Sequence, residues 1–225
     1  MNKRYLRLAF TGGPCSGKTE SIQYIKDFYS SPGSDVEVLA VPEAAQQLIS
    51  SGLVYEGNVS KGVFQQMCLQ LQLSWYSSVH HYTKEFLKQK RGPETLLILF
   101  DRSFIDHQIY LENYWQAEVL YGINKIQTEL IPVYYDGLIH MESAAVMDDF
   151  EIPNSERLES RIEQMRALEQ KARLISSKYK SEFIGAEKDF HSKIEAAFNC
   201  VNCFLGSMYS SDKETAHCEK VRILR

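Results

Sequence analysis

The sequence predicts a three-layer α/β fold, in which a parallel sheet of about five strands carries helices on both faces. Two observations lead to this prediction. Short apolar segments alternate along the chain with helical stretches, which is typical of parallel sheets because each parallel connection needs a crossover. In addition, Leu96 to Phe100 is an unbroken apolar run, as expected of a central strand that is covered on both faces.

Each element follows from a local pattern. Strands are predicted where apolar or β-branched residues run between turn residues, at 5–10, 36–41, 96–100, 138–141 and 182–186. Helices are predicted where apolar residues recur every three or four positions or stop at a glycine, at 17–29, 44–52, 61–90, 104–120, 155–180 and 189–205. The pattern indicates one domain over 1–205 and a polar C-terminal tail over 206–225, in which 221–224 is a candidate edge strand.

Composition narrows the functional classes. The chain has 225 residues, with 25 Lys and Arg against 29 Asp and Glu and a formal net charge of -4. A general nucleic-acid binder usually carries a basic excess, so no nucleic-acid partner is expected. The cysteines are few and scattered and no apolar run approaches the roughly 20 residues of a membrane span, so we expect a cytoplasmic protein with reduced thiols.

The segment GGPCSGKT, from Gly12 to Thr19, matches the phosphate-loop pattern G-x-x-x-x-G-K-[ST] at every fixed position. The glycines let the backbone curl so that its N–H groups face phosphate oxygens, while Lys18 pairs with the β and γ phosphates and the hydroxyl of Thr19 binds Mg²⁺. The cofactors expected are ATP, or GTP, with Mg²⁺. Selectivity for guanine is not supported, because the segment 124–127 lacks the acid of a guanine-reading N-K-x-D. The predicted nucleotide-binding residues are Gly12, Gly13, Pro14, Cys15, Ser16, Gly17, Lys18, Thr19 and Glu20.

Charged residues follow two of the predicted strands, where ligands of open α/β sheets gather. Asp101 ends the most apolar strand and is predicted either to hold Mg²⁺ or to take a proton from a substrate hydroxyl, and Arg102 is predicted to clamp a phosphate or substrate anion. Glu43 follows the second strand and is predicted to bind a sugar hydroxyl or to act as general base. The alternative for these acids is a purely structural role at the start of a helix.

The late helical stretch supplies candidate catalytic arginines. Arg157 and Arg161 lie four residues apart, on one face of a helix, and Arg166 follows. A mobile lid at about 150–180 would bring one of them over the γ phosphate in the transition state. Which arginine acts is left open, and the alternative is a set of ordinary surface ion pairs with Glu156, Glu159, Glu163 and Glu169.

The cysteines suggest a second, weaker possibility. Cys200 and Cys203, together with His217 and Cys218, allow a zinc site, but the second pair lacks a usual spacing and two cysteines three apart on an amphipathic helix are more typical of a core. Metal binding there is left open. Cys15, inside the phosphate loop, is a candidate for oxidation rather than for catalysis.

Four segments occur in the order of a known family: TGGPCSGKT at 11–19, VPEAA at 41–45, FDRSFID at 100–106 and YDGLIHMESAA at 135–145. Over roughly 5–205 the chain resembles the AAA-like P-loop NTPases that include the ribosylnicotinamide kinase domain of bacterial NAD regulators and the translocation-defect NTPases. It is more distantly similar to thymidylate and deoxynucleoside kinases. The resemblance implies that Lys18 and Thr19 bind triphosphate and Mg²⁺, that Asp101 has a Mg²⁺ or acid-base role, and that Glu43 faces a phosphate acceptor. It also implies a lid at about 154–166.

Two functions remain open at this level. The first is a small-molecule kinase that transfers phosphate from ATP to a hydroxyl of a nucleoside-like or ribosyl acceptor. The second is a nucleotide-dependent switch that a protein or membrane partner reads. A pocket open beside Glu43 favours the kinase, and a filled pocket favours the switch. The intact phosphate loop disfavours a degenerate nucleotide binder, and a homodimer through the long helices is left open.

Overall fold

The structure is a computed structural model that describes residues 3–53, 59–111, 114–126, 131–151 and 161–211. Its five strands form one parallel sheet with the order β2-β3-β1-β4-β5. The predicted α/β fold class is confirmed. The strands are β1 (Arg4–Thr11), β2 (Val36–Val41), β3 (Thr95–Asp101), β4 (Gly137–Met141) and β5 (Ser181–Ile184). The helices are α1 (Lys18–Tyr29), α2 (Ala44–Ser50), α3 (Lys61–Lys88), α4 (His107–Tyr110), α5 (Tyr114–Ile123), α6 (Ile131–Tyr134), α7 (Ile162–Ser176) and α8 (Phe190–Ser211).

Helices cover both faces of the sheet, which makes three layers. All seven residues of β3 are buried, because side chains that alternate along the strand enter two different apolar clusters. On one face Leu99 packs with residues of α1 and α8, among them Ile25 and Val201. On the other face Ile98 packs with residues of α3 and α7, among them Phe86. The apolar run therefore predicts the most central element correctly.

The stretch predicted as one helix at 104–120 is divided. A short 3-10 turn at Phe104–Asp106 leads into α4, and the chain becomes extended at Leu111 before α5 begins. The side chain of Leu111 is buried in the core, and its carbonyl accepts a hydrogen bond from Lys171 of α7. These contacts hold Leu111 in its extended conformation, with ψ at 150°, which ends α4.

The chain also departs from expectation near β5 and α8. β5 ends at Ile184 because the N–H of Ala186, two residues on, donates instead to Glu142 Oε2 at 2.9 Å. α8 continues to Ser211 rather than ending near 205, because Tyr209 reaches the sheet and its hydroxyl lies 2.8 Å from Thr95 Oγ1. The candidate edge strand at 221–224 lies outside the described residues. Among those described, no helix is both long and apolar enough to cross a membrane.

Candidate functional site

The phosphate-loop segment follows β1 and leads directly into α1, as the pattern requires. Gly12 has a φ of +132°, and a side-chain Cβ placed there would lie 2.1 Å from the carbonyl oxygen of Met141 at the end of β4. Only glycine fits both the conformation and the space. The loop is thus packed against the neighbouring strand as well as folded on itself.

Lys18 is the buried cation of this loop. Its side chain is only 5% exposed, and Nζ donates to the carbonyl of Gly13 at 2.9 Å and to Ser16 Oγ at 2.6 Å. Burial, and secondarily the charge of Arg102, lowers the pKa of Lys18 to about 8. The nearby carboxylates of Asp101, Glu43 and Asp106 only partly offset this burial, so an anion that occupies the loop would add countercharge to the ammonium.

Asp101 and Thr19 form a pair of oxygen ligands beside Lys18. Thr19 Oγ1 donates to Asp101 Oδ2 at 2.5 Å, while Asp101 Oδ1 is buried and has no hydrogen-bond partner within the described part of the chain. Burial and the nearby charge of Glu43 raise the pKa of Asp101. A buried carboxylate oxygen without a partner costs free energy, and a hard cation is the partner that an oxygen pair of this type accepts. The residues therefore fit Mg²⁺.

Arg102 is held in a strained conformation at the centre of the site. Its φ is +88°, an uncommon value for a residue with a side chain. Its carbonyl accepts from Gln72 Nε2 at 2.9 Å, its Nε donates to Glu43 Oε1 at 2.9 Å, and its Nη1 donates to the carbonyl of Gly12 at 2.5 Å. Such strain persists only where several contacts fix the residue, and it is common at functional sites.

Glu43 lies just before α2, with its side chain about a quarter exposed. The contact with Arg102 uses Oε1, and Oε2 makes no hydrogen bond with the described residues. Asp106, the third acid of the site, accepts from Ser103 N at 2.7 Å, from Thr11 Oγ1 at 2.9 Å and from Arg102 Nη1 at 3.3 Å. Glu43 therefore keeps a free oxygen, whereas Asp106 has a structural role.

An open cavity of about 760 Å³ connects these groups. One end is formed by the phosphate loop from Pro14 to Glu20 and by Asp101. Phe150 and Phe190 also line the cavity. The other end extends past Glu43 and is lined by apolar and amide side chains, among them Ile49, Phe64, Gln65, Cys68, Gln72, His107 and Tyr110. The geometry thus joins a phosphate-binding end to a second, mixed polar and apolar end.

A buried hydrogen-bonded chain forms one wall of the second end. Burial lowers the pKa of His107 to about 4, so its ring is neutral and carries one N–H at pH 7. Gln72 Nε2 donates to the carbonyl of Arg102, so its Oε1 is the atom that faces His107 Nε2, at 3.0 Å. His107 Nε2 therefore carries the N–H and donates, and its Nδ1 is the acceptor of the neutral ring. Gln65 Oε1 lies 3.0 Å from Nδ1, so a half-turn of that amide completes the chain and turns its oxygen away from His107.

Sequence reasoning did not single out these glutamines. Gln65 and Gln72 lie seven residues apart on α3 and are 7% and 6% exposed, although the face they share is mainly apolar. Polar residues at core spacing are the signal that would have found them, because a buried amide needs partners.

Of the candidate lid arginines, the two that the structure describes, Arg161 and Arg166, do not line the cavity. Arg157 lies outside the described residues, and Arg161 is exposed immediately before α7 and is not among the residues that line the cavity. Arg166 donates to the carbonyls of Ala145 at 2.5 Å and Met147 at 3.0 Å. A catalytic role for Arg157 or Arg161 stays a prediction.

Glu169 corrects one sequence expectation. It is not a surface partner of the arginines but a buried residue, 2% exposed, whose Oε2 accepts from the N–H of Gly13 at 2.8 Å. Its spacing from Met165 and Ala172, which are also buried on α7, is the signal that separates it from the exposed Glu163.

The zinc possibility gains no support from α8. Cys200 packs against an apolar cluster, Cys203 is exposed, and no group of three metal-binding side chains occurs in the part of the chain that the structure covers. His217 and Cys218 lie outside that part. Cys15 is half-buried and lines the cavity.

Of the comparisons with known proteins, a family model identifies the family of the chain. No curated protein matches the chain. Among solved structures the chain is similar to a deoxyadenosine kinase from M. mycoides with the products dCMP and a flexible dCDP bound, at 17% identity and a TM-score of 0.47, over 88% of this chain and 100% of that one. A family model described as an AAA domain matches residues 7–191. This match extends from β1 to the start of α8 and includes the whole phosphate loop, and the chain therefore belongs to the AAA domain family.

Proposed function

We propose that the chain is a Mg²⁺-dependent kinase that transfers the γ-phosphoryl group of ATP, or of GTP, to a hydroxyl of a small nucleoside-like or ribosyl acceptor. The observation that carries this proposal is the cavity of about 760 Å³ that runs from the phosphate loop past Glu43. Its size lies within the range of small-molecule sites, about 300–1,000 Å³. An open pocket beside Glu43 favours a kinase over a switch, because only a kinase needs room for an acceptor.

The phosphate end would bind and orient the donor. Lys18 and the loop N–H groups would hold the phosphates, and the charge of Lys18 would stabilise the oxygens of the transferred group. Thr19 and Asp101 would hold Mg²⁺, which, when bound, neutralises charge on the β and γ phosphates.

The acceptor end would supply the proton chemistry. Glu43 Oε2 would accept the proton of the acceptor hydroxyl. The hydroxyl oxygen would bond to the γ phosphorus while the bond from that phosphorus to the β–γ bridging oxygen breaks, which releases the nucleoside diphosphate. Arg102, which donates to Oε1 of the same carboxylate at 2.9 Å, would keep the free oxygen directed at the acceptor. This arrangement requires positioning and electrostatics but no covalent intermediate.

The lining of the second end supports an acceptor with an aromatic or planar part. Phe64 and Tyr110 offer apolar surface, and the Gln65 amide offers an oxygen and one remaining N–H. A planar ring with donors and acceptors at its edge matches this combination. A hydroxyl on an attached sugar would then lie toward Glu43.

The proposal is tested by ³¹P NMR on the purified protein with Mg·ATP or Mg·GTP and a panel of nucleosides and ribosyl compounds. We expect a new phosphomonoester signal that requires one acceptor class and that is absent with Lys18→Ala. Inorganic phosphate alone, with no acceptor dependence, would contradict the kinase and favour the switch.

Asp101→Asn is expected to weaken Mg²⁺ binding selectively. Asparagine keeps the size of the side chain but removes the charge that a hard cation needs, so the Mg²⁺ concentration that half-saturates nucleotide binding should rise at least about tenfold. Calorimetric titration of Mg²⁺ at fixed ATP measures this. Asp27→Asn, an exposed change on α1, should have no effect. An unchanged Mg²⁺ requirement in Asp101→Asn would remove Asp101 from the metal site.

A further inference from the structure

A buried carboxylate lies on the outer side of the phosphate loop, away from the proposed chemistry. Glu169 of α7 is 2% exposed, and its Oε2 accepts from the N–H groups of Gly13 at 2.8 Å and Ser143 at 3.1 Å. Its Oε1 accepts from His140 Nε2 at 2.8 Å. Three donors satisfy the two oxygens, which a carboxylate requires when it is removed from water.

α7 approaches the loop closely at this point. A Cβ placed on Gly13 would lie 2.7 Å from Glu169 Oε2 and 3.1 Å from Glu169 Cα. One turn earlier on the same helix, Arg166 binds the carbonyls of Ala145 and Met147. In α7, Glu169 therefore accepts from backbone N–H groups and Arg166 donates to backbone carbonyls, and these contacts fix the position of the helix relative to the loop.

The peptide group between Gly12 and Gly13 links this contact to the site. Its N–H donates to Glu169, and its carbonyl accepts from Arg102 Nη1 at 2.5 Å and, more weakly, from Lys18 Nζ at 3.4 Å. A peptide group is planar, so fixing the N–H also fixes the direction of the carbonyl. The orientation of Arg102, and to a smaller degree that of Lys18, thus depends on a peptide whose N–H is bound by Glu169 on its other side.

We infer that Glu169 is a positioning residue for phosphate binding, which acts through the Gly12–Gly13 peptide. This inference rests on the proposed nucleotide-binding function but not on transfer to an acceptor. In this role Glu169 acts because its side chain is long enough to place a hydrogen-bond acceptor at the two N–H groups, and not because it is negatively charged.

Two substitutions separate reach from charge. Glu169→Gln keeps the length, so its oxygen can accept from Gly13 and Ser143 while its NH₂ group donates to His140 Nε2. His140 can adopt the other tautomer, because Ser176 Oγ lies 2.8 Å from its Nδ1. Glu169→Asp keeps the charge but is one methylene too short to reach both N–H groups from the same helix.

The measurement is the affinity for Mg·ATP by titration calorimetry, with the melting temperature of each variant. We expect Glu169→Asp to bind about tenfold more weakly and Glu169→Gln to remain within about threefold of the wild type. Ile175→Ala, a core change in α7, should lower the melting temperature without weakening Mg·ATP binding.

Contrary results separate the two proposals. The positioning role would be overturned, and the kinase left standing, if Glu169→Asp bound Mg·ATP with wild-type affinity. It would also be overturned if Glu169→Gln and Ile175→Ala lost as much affinity as Glu169→Asp. Tight Mg·ATP binding without acceptor phosphorylation would overturn the kinase while leaving the Glu169 comparison decisive. A wild-type chain with no affinity for Mg·ATP would overturn both.

Discussion

Lys18→Ala is expected to weaken the binding of Mg·ATP at least about 100-fold and to abolish turnover. Lys18 is the buried cation of the phosphate loop, and within the described part of the chain its Nζ donates only to oxygens of the loop itself. Charge-assisted hydrogen bonds to phosphate are among the strongest polar contacts, and about 2.8 kcal/mol corresponds to a 100-fold change in affinity. Titration calorimetry with Mg·ATP measures the loss, and circular dichroism verifies that the variant remains folded.

The dependence on pH gives this prediction a second test. Burial, and secondarily Arg102, lowers the pKa of Lys18 to about 8 in the free protein, and a bound phosphate raises it again because it supplies negative charge. Binding therefore takes up a proton only above about pH 8. The contribution of Lys18 to the affinity should therefore be constant with pH below about pH 8, and the affinity should fall by up to tenfold per pH unit above it.

Two variants serve as controls for Lys18. Lys18→Arg keeps its charge at every accessible pH, so its affinity, although altered by geometry, should lack the decline above pH 8. Lys26→Ala, an exposed change on α1, should bind Mg·ATP like the wild type. Equal nucleotide affinity in Lys18→Ala and the wild type would remove the phosphate-loop assignment and, with it, the kinase proposal.

The sequence predicts the parts of the site that depend on local patterns. The phosphate loop needs glycines at fixed spacing and a following helix, and β3 needs an unbroken apolar run. Both can therefore be predicted from neighbouring residues alone. The carboxyl ends of parallel strands meet at one edge of the sheet, which is why Glu43 and Asp101 could be expected to lie near the loop.

The remaining parts depend on contacts between distant segments. Glu169 lies 156 residues from its partner Gly13. Helical spacing from Met165 and Ala172 places it on the buried face of α7, but the local sequence does not show that its partner is a loop N–H. The His107 chain likewise joins α3 to α4 through amides that periodicity places in the core without partners. Arg102 illustrates the same limit, since its positive φ is fixed by contacts with three other segments.

Glu43→Gln is expected to lower kcat by about 100-fold to 10,000-fold, the range typical of a lost general base, with little change in the affinity for Mg·ATP. Glutamine keeps the size of the side chain and can still accept from Arg102 Nε through its amide oxygen, so the local packing should survive. It cannot take up the proton that the acceptor hydroxyl must lose. The kinetic effect should therefore appear in the transfer step and not in donor binding.

Kinetic measurements separate the role of Glu43 as general base from a role at the phosphate end and from a role in binding the acceptor. Glu37→Gln, near the start of β2 and outside the cavity lining, should leave kcat unchanged. If Glu43→Gln weakened Mg·ATP binding as strongly as it slowed transfer, Glu43 would belong to the phosphate end, as a support for Arg102 or for the metal. If the acceptor KM alone rose while kcat was retained, Glu43 would bind the acceptor hydroxyl without taking its proton, because a lost binding contact raises KM whereas a lost base lowers kcat.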